Sequence, residues 1–131
     1  MFNLTFDHYT IKVNSLDESA RFYKEVLKLK EIKNRTEKEY IRWFSLGDGS
    51  ELHVVEGDQT GIETNVGLHL ALRLKEFDAF IRQLEENGVR QHNSKGEPDQ
   101  INVRADGIRQ VYFKDPDGYW IEVNEAAILE T

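Results

Sequence analysis

One strand-then-helix segment is used twice in this chain of 131 residues. A shift of 61 positions carries His8 onto His69, Thr10 onto Ala71, Lys12 onto Arg73, Asp17 onto Asp78 and Arg21 onto Arg82. Near the end of each half, Asp48-Gly49 answers Asp117-Gly118 at a shift of 69. The growing offset calls for an insertion in the second half, and the polar stretch Asn93 to Asp106, with Pro98 inside it, is where a loop can take one. A repeat of this length is one supersecondary unit that must bury its apolar face against something, so two copies are expected to act together. A chain this long buries roughly two-thirds of its extended surface as a single domain.

Each copy reads as β-α-β-β-β. In the first, Thr5 to Val13 alternates, with Tyr9, Ile11 and Val13 on one face and Phe6, His8, Thr10 and Lys12 on the other. Ser15 with Glu18 three residues on is a capping-box start for a helix running to Leu29, apolar at Leu16, Ala20, Phe22, Tyr23, Val26 and Leu27. Strands are expected over 30–35, 39–46 and 50–55, the last two joined by a hairpin at Gly47-Asp48-Gly49. In the second copy Leu68 to Leu74 sets four leucines against His69, Ala71 and Arg73. A helix over 76–87 then stops at Asn87-Gly88. Strands follow over 89–93, 110–114 and 119–124, and the loop Asn93 to Asp106 is expected to be mobile with one short pairing segment near Ile101 to Arg104. The modules are thus 4–56 and 66–126, joined by a polar linker over 57–65, within one α+β domain spanning 1–131. The expected architecture is two βαβββ modules in tandem, forming a curved, half-open, barrel-like mixed sheet around a metal cleft.

The chemistry concentrates on the strand faces turned away from the helices. Asp115-Pro116-Asp117-Gly118 is a turn in which Pro116 fixes φ and Gly118 accepts a positive one, so the strand after it puts Ile121 and Val123 on one face and Trp120, Glu122 and Asn124 on the other. Four residues beyond each Asp-Gly glycine stand His53 and Glu122. The repeat therefore pairs His53 with Glu122 and His8 with His69, two imidazole or carboxylate groups from each module for one centre. Glu51, on the same face as His53, is the alternative fourth ligand if the register slips. His92 has no counterpart and reads as a surface residue. The chain has no cysteine, which excludes disulfides, thiolate nucleophiles and sulfur-bound metal. A net charge of -7 argues against nucleic acid as a partner. No apolar run is long enough for a bilayer, and the amino terminus lacks the basic and apolar regions of a leader, so a cytoplasmic location is expected.

The order and spacing of Asp7-His8, Leu16-Asp17-Glu18-Ser19-Ala20-Arg21-Phe22-Tyr23, Leu68-His69 and Asp115-Pro116-Asp117-Gly118-Tyr119-Trp120-Ile121-Glu122 resemble the vicinal oxygen chelate superfamily, which includes glyoxalases, bleomycin-resistance proteins and extradiol dioxygenases. The last segment is most similar to the glyoxalase I branch. The resemblance implies a divalent metal on His8, His69 and Glu122, with His53 where glyoxalase I has a glutamate. It implies zinc or nickel first, iron or manganese second, and Glu122 as the catalytic proton carrier. The activity implied is that of a lactoylglutathione lyase-like lyase or isomerase, which chelates neighbouring oxygens of a small carbonyl substrate and stabilises an enediolate. The alternatives are an Fe(II) extradiol-type dioxygenase and a small-molecule-binding protein of the antibiotic-resistance type. Trp120 is expected in a pocket wall, Trp43 and Phe44 in core or wall, and Lys12 and Arg73 either at a substrate anion or along the sheet rim. A homodimer is expected.

Overall fold

The computed structural model describes residues 2–128. The chain divides between Ile62 and Glu63 into two compact units, each built on its own four-stranded mixed sheet. Together they form a tandem βαβββ fold.

The first unit runs β1 (His8–Val13), α1 (Leu16–Glu25), β2 (Glu31–Ile32), β3 (Ile41–Gly47) and β4 (Ser50–Glu56), with strand order β1-β4-β3-β2. The β1–β4 pair is parallel because α1 carries the chain back over the sheet, and the remaining pairs are antiparallel. Alternation in β1 buries Ile11 and Val13 and leaves His8 exposed. On α1, Leu16, Ser19, Ala20 and Tyr23 form the buried stripe. Tyr23 and Phe44 are both essentially inaccessible, and burying side chains of this size is worth about 1.5–3 kcal/mol each. The Ser15 hydroxyl caps the helix by accepting the Glu18 N–H at 3.2 Å. The helix ends at Glu25, a turn short of the expected Leu29. Lys28 takes a left-handed φ of 56°, which sends the Leu29 N–H back to the Tyr23 carbonyl. The β3–β4 hairpin closes through Asp48 and Gly49 at φ 50° and 80°, the positive pair that a two-residue type I′ loop demands.

The second unit runs β5 (His69–Arg73), α2 (Phe77–Glu86), β6 (Asn102–Val103), β7 (Arg109–Lys114) and β8 (Trp120–Asn124), ordered β5-β8-β7-β6. Helix α2 ends in a Schellman arrangement. Gly88, at φ 67°, donates to the Glu85 carbonyl, and Val89 donates to Leu84. That closure uses up part of the segment expected to form a strand over 89–93. Of that strand only His92 pairs, bridging Tyr112 on one side and Pro98 on the other. The loop after it is organised rather than loose. The Asn93 side chain donates to Glu97 Oε1 and Gln100 Oε1 and accepts the N–H groups of Lys95 and Glu97, which knots the loop around one buried amide. The short pairing segment falls on Asn102–Val103 as expected.

Cross-strand register repeats between the units. Thr10 lies opposite His53 and Ala71 opposite Glu122 on the parallel side, while Trp43 faces His53 and Tyr112 faces Glu122 on the antiparallel side. His53 and Glu122 therefore occupy equivalent places in the two ladders, as do Trp43 and Tyr112.

Candidate metal centre

In the second unit β5 and β8 bring two of the expected residues together. The His69 Nδ1–H donates to the Val66 carbonyl at 2.7 Å, because the Asn65-centred turn before β5 folds that carbonyl under the ring. Nδ1 is thereby committed as a donor, so in the neutral ring Nε2 carries the lone pair, 3.1 Å from Glu122 Oε1. Glu122 was expected on an outward face beside Trp120, but it is only 5% exposed and lies within a ring of donors. Tyr112 Oη donates to Oε1 at 2.8 Å, and Gln110 Nε2 and Asn124 Nδ2 donate to Oε2 at 3.0 and 2.6 Å. Burial pushes the Glu122 carboxyl up. The donations from Asn124, Tyr112 and Gln110 outweigh it and hold the group below the usual glutamate value, with a further lowering from His69 when that ring is protonated. The Tyr112 phenol moves the other way, to about 12, through burial and its bond to the carboxylate.

In the first unit His8, His53 and Glu51 lie on adjacent parallel strands, with His8 opposite Glu51 and Thr10 opposite His53. The His8 Nδ1–H donates to Asp7, which leaves Nε2 bare. The His53 Nε2–H donates to Glu51 Oε1 at 2.9 Å, and Arg35 reaches the other Glu51 oxygen at 3.2 Å. The hydrogen bond to His53, opposed by burial and helped by Arg35, lowers the Glu51 carboxyl. Both expected alternatives for the fourth ligand are thus engaged with each other. The His53 ring lies between Trp43 and His8, parallel to both.

Sequence reasoning missed the supporting residues. Asp7 was visible as the neighbour of His8. Tyr112 and Gln110 could have been found by counting back across the Asp115–Gly118 turn, and the Val66 carbonyl left no sequence signal. His92 is not a plain surface residue: it is half-buried, its Nδ1–H donates to the Gly96 carbonyl, and its ring packs edge-on against Trp120 at 4.9 Å. Trp120 itself is covered by His92 and by the Lys114 ammonium, 4.9 Å from the ring. Arg73 donates to the Ala127 carbonyl, and the Lys12 stem lies over Gly57.

Residues 5–123 match the model of the Glyoxalase/Bleomycin resistance protein/Dioxygenase superfamily. The chain belongs to that superfamily. A Vibrio parahaemolyticus protein named as a probable lactoylglutathione lyase is 27% identical over 124 residues, covering 88% of this chain and 86% of the relative. The Listeria monocytogenes fosfomycin resistance protein FosX is 24% identical over 126 residues, covering 94% and 90%. Among solved structures, oxidase ChaP-H2 superposes with a TM-score of 0.78 at 22% identity, covering 96% of each chain, a likeness of fold. Superfamily members are often enzymes and typically use a divalent metal.

Whether these residues suit such an ion can be read from their donor atoms. Among the described residues no three His, Asp or Glu side chains are grouped as a ready-made metal cluster. The His69–Glu122 pair nevertheless fits. A bare imidazole nitrogen and a carboxylate oxygen 3.1 Å apart match the roughly 3.0 Å between adjacent ligands of an octahedral ion bound at about 2.1 Å. His8 also fits, with the proton held on Nδ1 and Nε2 free. His53 does not fit beside His8 in the stacked arrangement. Among the described residues no helix is long and apolar enough to cross a membrane.

Proposed function

We propose that this protein is a metal-dependent enzyme of the lyase or isomerase kind, in which His8, His69 and Glu122 hold one divalent ion. The observation that carries the reading is the His69–Glu122 pair, a ring nitrogen and a carboxylate oxygen 3.1 Å apart, each held in orientation by hydrogen-bonding neighbours. When bound, the ion would act as a Lewis acid toward two neighbouring oxygens of a small carbonyl compound and stabilise charge of the enediolate type.

The chain's own residues divide the remaining work. The Val66 carbonyl and Asp7 fix which nitrogen of His69 and of His8 carries the proton, so the opposite nitrogens stay free to bind. Tyr112, Gln110 and Asn124 keep Glu122 ionised inside a buried pocket, where a lone carboxylate would otherwise take up a proton. Glu122 is the residue we assign as proton carrier, and the donations from Tyr112 to Oε1 and from Gln110 and Asn124 to Oε2 limit its basicity.

Purified without chelator, the protein should carry about one divalent ion per chain, lost in His69→Ala. Metal-loaded protein should exchange the α-protons of α-hydroxy or α-keto thioesters into deuterated water. No ion after reconstitution, or no exchange across such a panel, would refute the reading. A second reading, an Fe(II)-dependent extradiol-type dioxygenase, is favoured by one observation. With His53 engaged elsewhere, the remaining donors are two histidines and a carboxylate, the set used by non-haem Fe(II) oxygenases. Oxygen uptake with catechols and ferrous iron separates the two. We also propose a homodimer, for which light scattering at micromolar concentration should give twice the chain mass.

A further inference from the structure

We propose that His53 is a positioning residue for His8, acting through the faces of its ring rather than through a nitrogen lone pair. The inference rests on the metal role proposed above for His8. Trp43, His53 and His8 form successive parallel layers: Trp43 and His53 have centroids 3.9 Å apart at 5°, and His53 and His8 are 4.1 Å apart at 13°. The Arg35 guanidinium covers the outer face of Trp43, 4.6 Å from its centroid. Glu51 ties the assembly at its edge by accepting from both His53 and Arg35. Two faces and one edge therefore fix the plane of His53, and His53 in turn supplies a flat support for His8.

His8 needs such a support. It opens β1 with its side chain 41% exposed, and its other restraint is Asp7, 84% exposed, whose bond to the ring competes with water. The stack also explains a cost. Trp43 is buried with an Nε1–H that has no hydrogen-bond partner, a desolvation cost that a leucine at the same place would avoid.

The same geometry excludes joint ligation. A bound ion lies close to the plane of an imidazole, about 2.1 Å beyond its nitrogen. Two rings stacked face to face have separate, nearly parallel planes, so one ion cannot lie near both. The repeat makes the contrast sharper. At the equivalent place in the second unit Tyr112 supports Glu122 with a hydroxyl donation, whereas Trp43 supports His53 with its face.

The test compares His53→Phe, which keeps a flat ring without a lone pair, with His53→Ala, which removes the layer. Titration with Co²⁺ alone, read by its visible absorption and by calorimetry, should give His53→Phe an affinity within about threefold of the parent. His53→Ala should weaken binding about 10- to 100-fold, the range seen when support behind a ligand is removed, and His8→Ala should abolish it. Loss of binding in His53→Phe equal to that in His8→Ala would make His53 a ligand and overturn the proposal. Parent protein that binds no Co²⁺ would refute the metal reading instead, and the stack is then judged in metal-free protein by NMR. The His8 ring protons should be displaced upfield in the parent and in His53→Phe but not in His53→Ala, and an unchanged His8 spectrum in all three would overturn the proposal.

Discussion

Replacing Asp115 by alanine should cost more stability than any other single change in the turn that leads into β8. Asp115 is 5% exposed, and its Oδ1 accepts the backbone N–H groups of Asp117 and Tyr119, both at 2.9 Å. Its own N–H and carbonyl close the same turn, to the Tyr119 carbonyl and from the Gly118 N–H. Alanine keeps the two main-chain bonds and orphans the two amides. A hydrogen bond to a charged acceptor contributes about 1.5–3 kcal/mol, and two such bonds sharing one oxygen add less than twice that, so we expect about 3–5 kcal/mol. With a urea m-value near 2 kcal/mol/M, the unfolding midpoint should fall by roughly 1.5–2.5 M at unchanged slope. Asp115→Asn retains an acceptor oxygen and should lose only about 1 kcal/mol. Tryptophan fluorescence is a suitable probe, because Trp120 follows the turn directly. A midpoint within 0.3 M of the parent for Asp115→Ala, or equal losses for alanine and asparagine, would refute the argument that acceptor geometry holds this turn.

Gly49→Ala meets open space but needs a left-handed φ of 80°, so about 1 kcal/mol should be lost in chemical denaturation with no change in slope. Tyr112→Phe removes one donor from the buried Glu122 carboxylate while Gln110 and Asn124 remain, and a loss of about 1.5–3 kcal/mol is expected from the same assay. Glu31 is bound by both arms of Arg42 at 2.9 and 2.7 Å, with Lys24 nearby. The Arg42 guanidinium lowers its carboxyl against a smaller opposing effect of burial. Because the folded pKa lies below the unfolded one, the stabilisation is complete above the ordinary glutamate range and fades as pH falls through the lowered folded value. Glu31→Gln should therefore be less stable than the parent by roughly 1 kcal/mol at pH 7, after allowance for solvent screening, and the gap should close on acidification. A gap that persists in acid would mean the pair acts through packing instead.

Elements whose signals are local were legible in the sequence. Ser15 caps α1, Asp48-Gly49 turns the first hairpin, Asn87-Gly88 closes α2, and the two repeat offsets return as identical cross-strand registers. The strand expected over 89–93 failed because the Schellman closure takes the Val89 N–H and the Asn93 amide gathers the loop, two competing uses of backbone and side chain that periodicity does not weigh. At the candidate site, alternation put His69 and Glu122 on one face but could not show that Glu122 would be enclosed. Its enclosure depends on Tyr112 and Gln110 reaching across from β7. The stack on His53 was likewise hidden, because nothing in the linear sequence distinguishes an imidazole that offers a nitrogen from one that offers a face.

The Asn93 knot has a consequence for how this protein can diversify. The Asn93 amide, together with the main-chain bonds from Asn93 to Glu97 and from Asp99 to Gln91, holds the segment where it leaves and rejoins its unit. Residues around it can be exchanged as a cassette while the ladder on either side keeps its register. A library randomised at Ser94, Lys95 and Pro98, with Asn93, Gly96 and Glu97 retained, should yield mostly folded members. The same library built on Asn93→Ala should not, and loop grafts into this protein should succeed or fail by whether they preserve that residue.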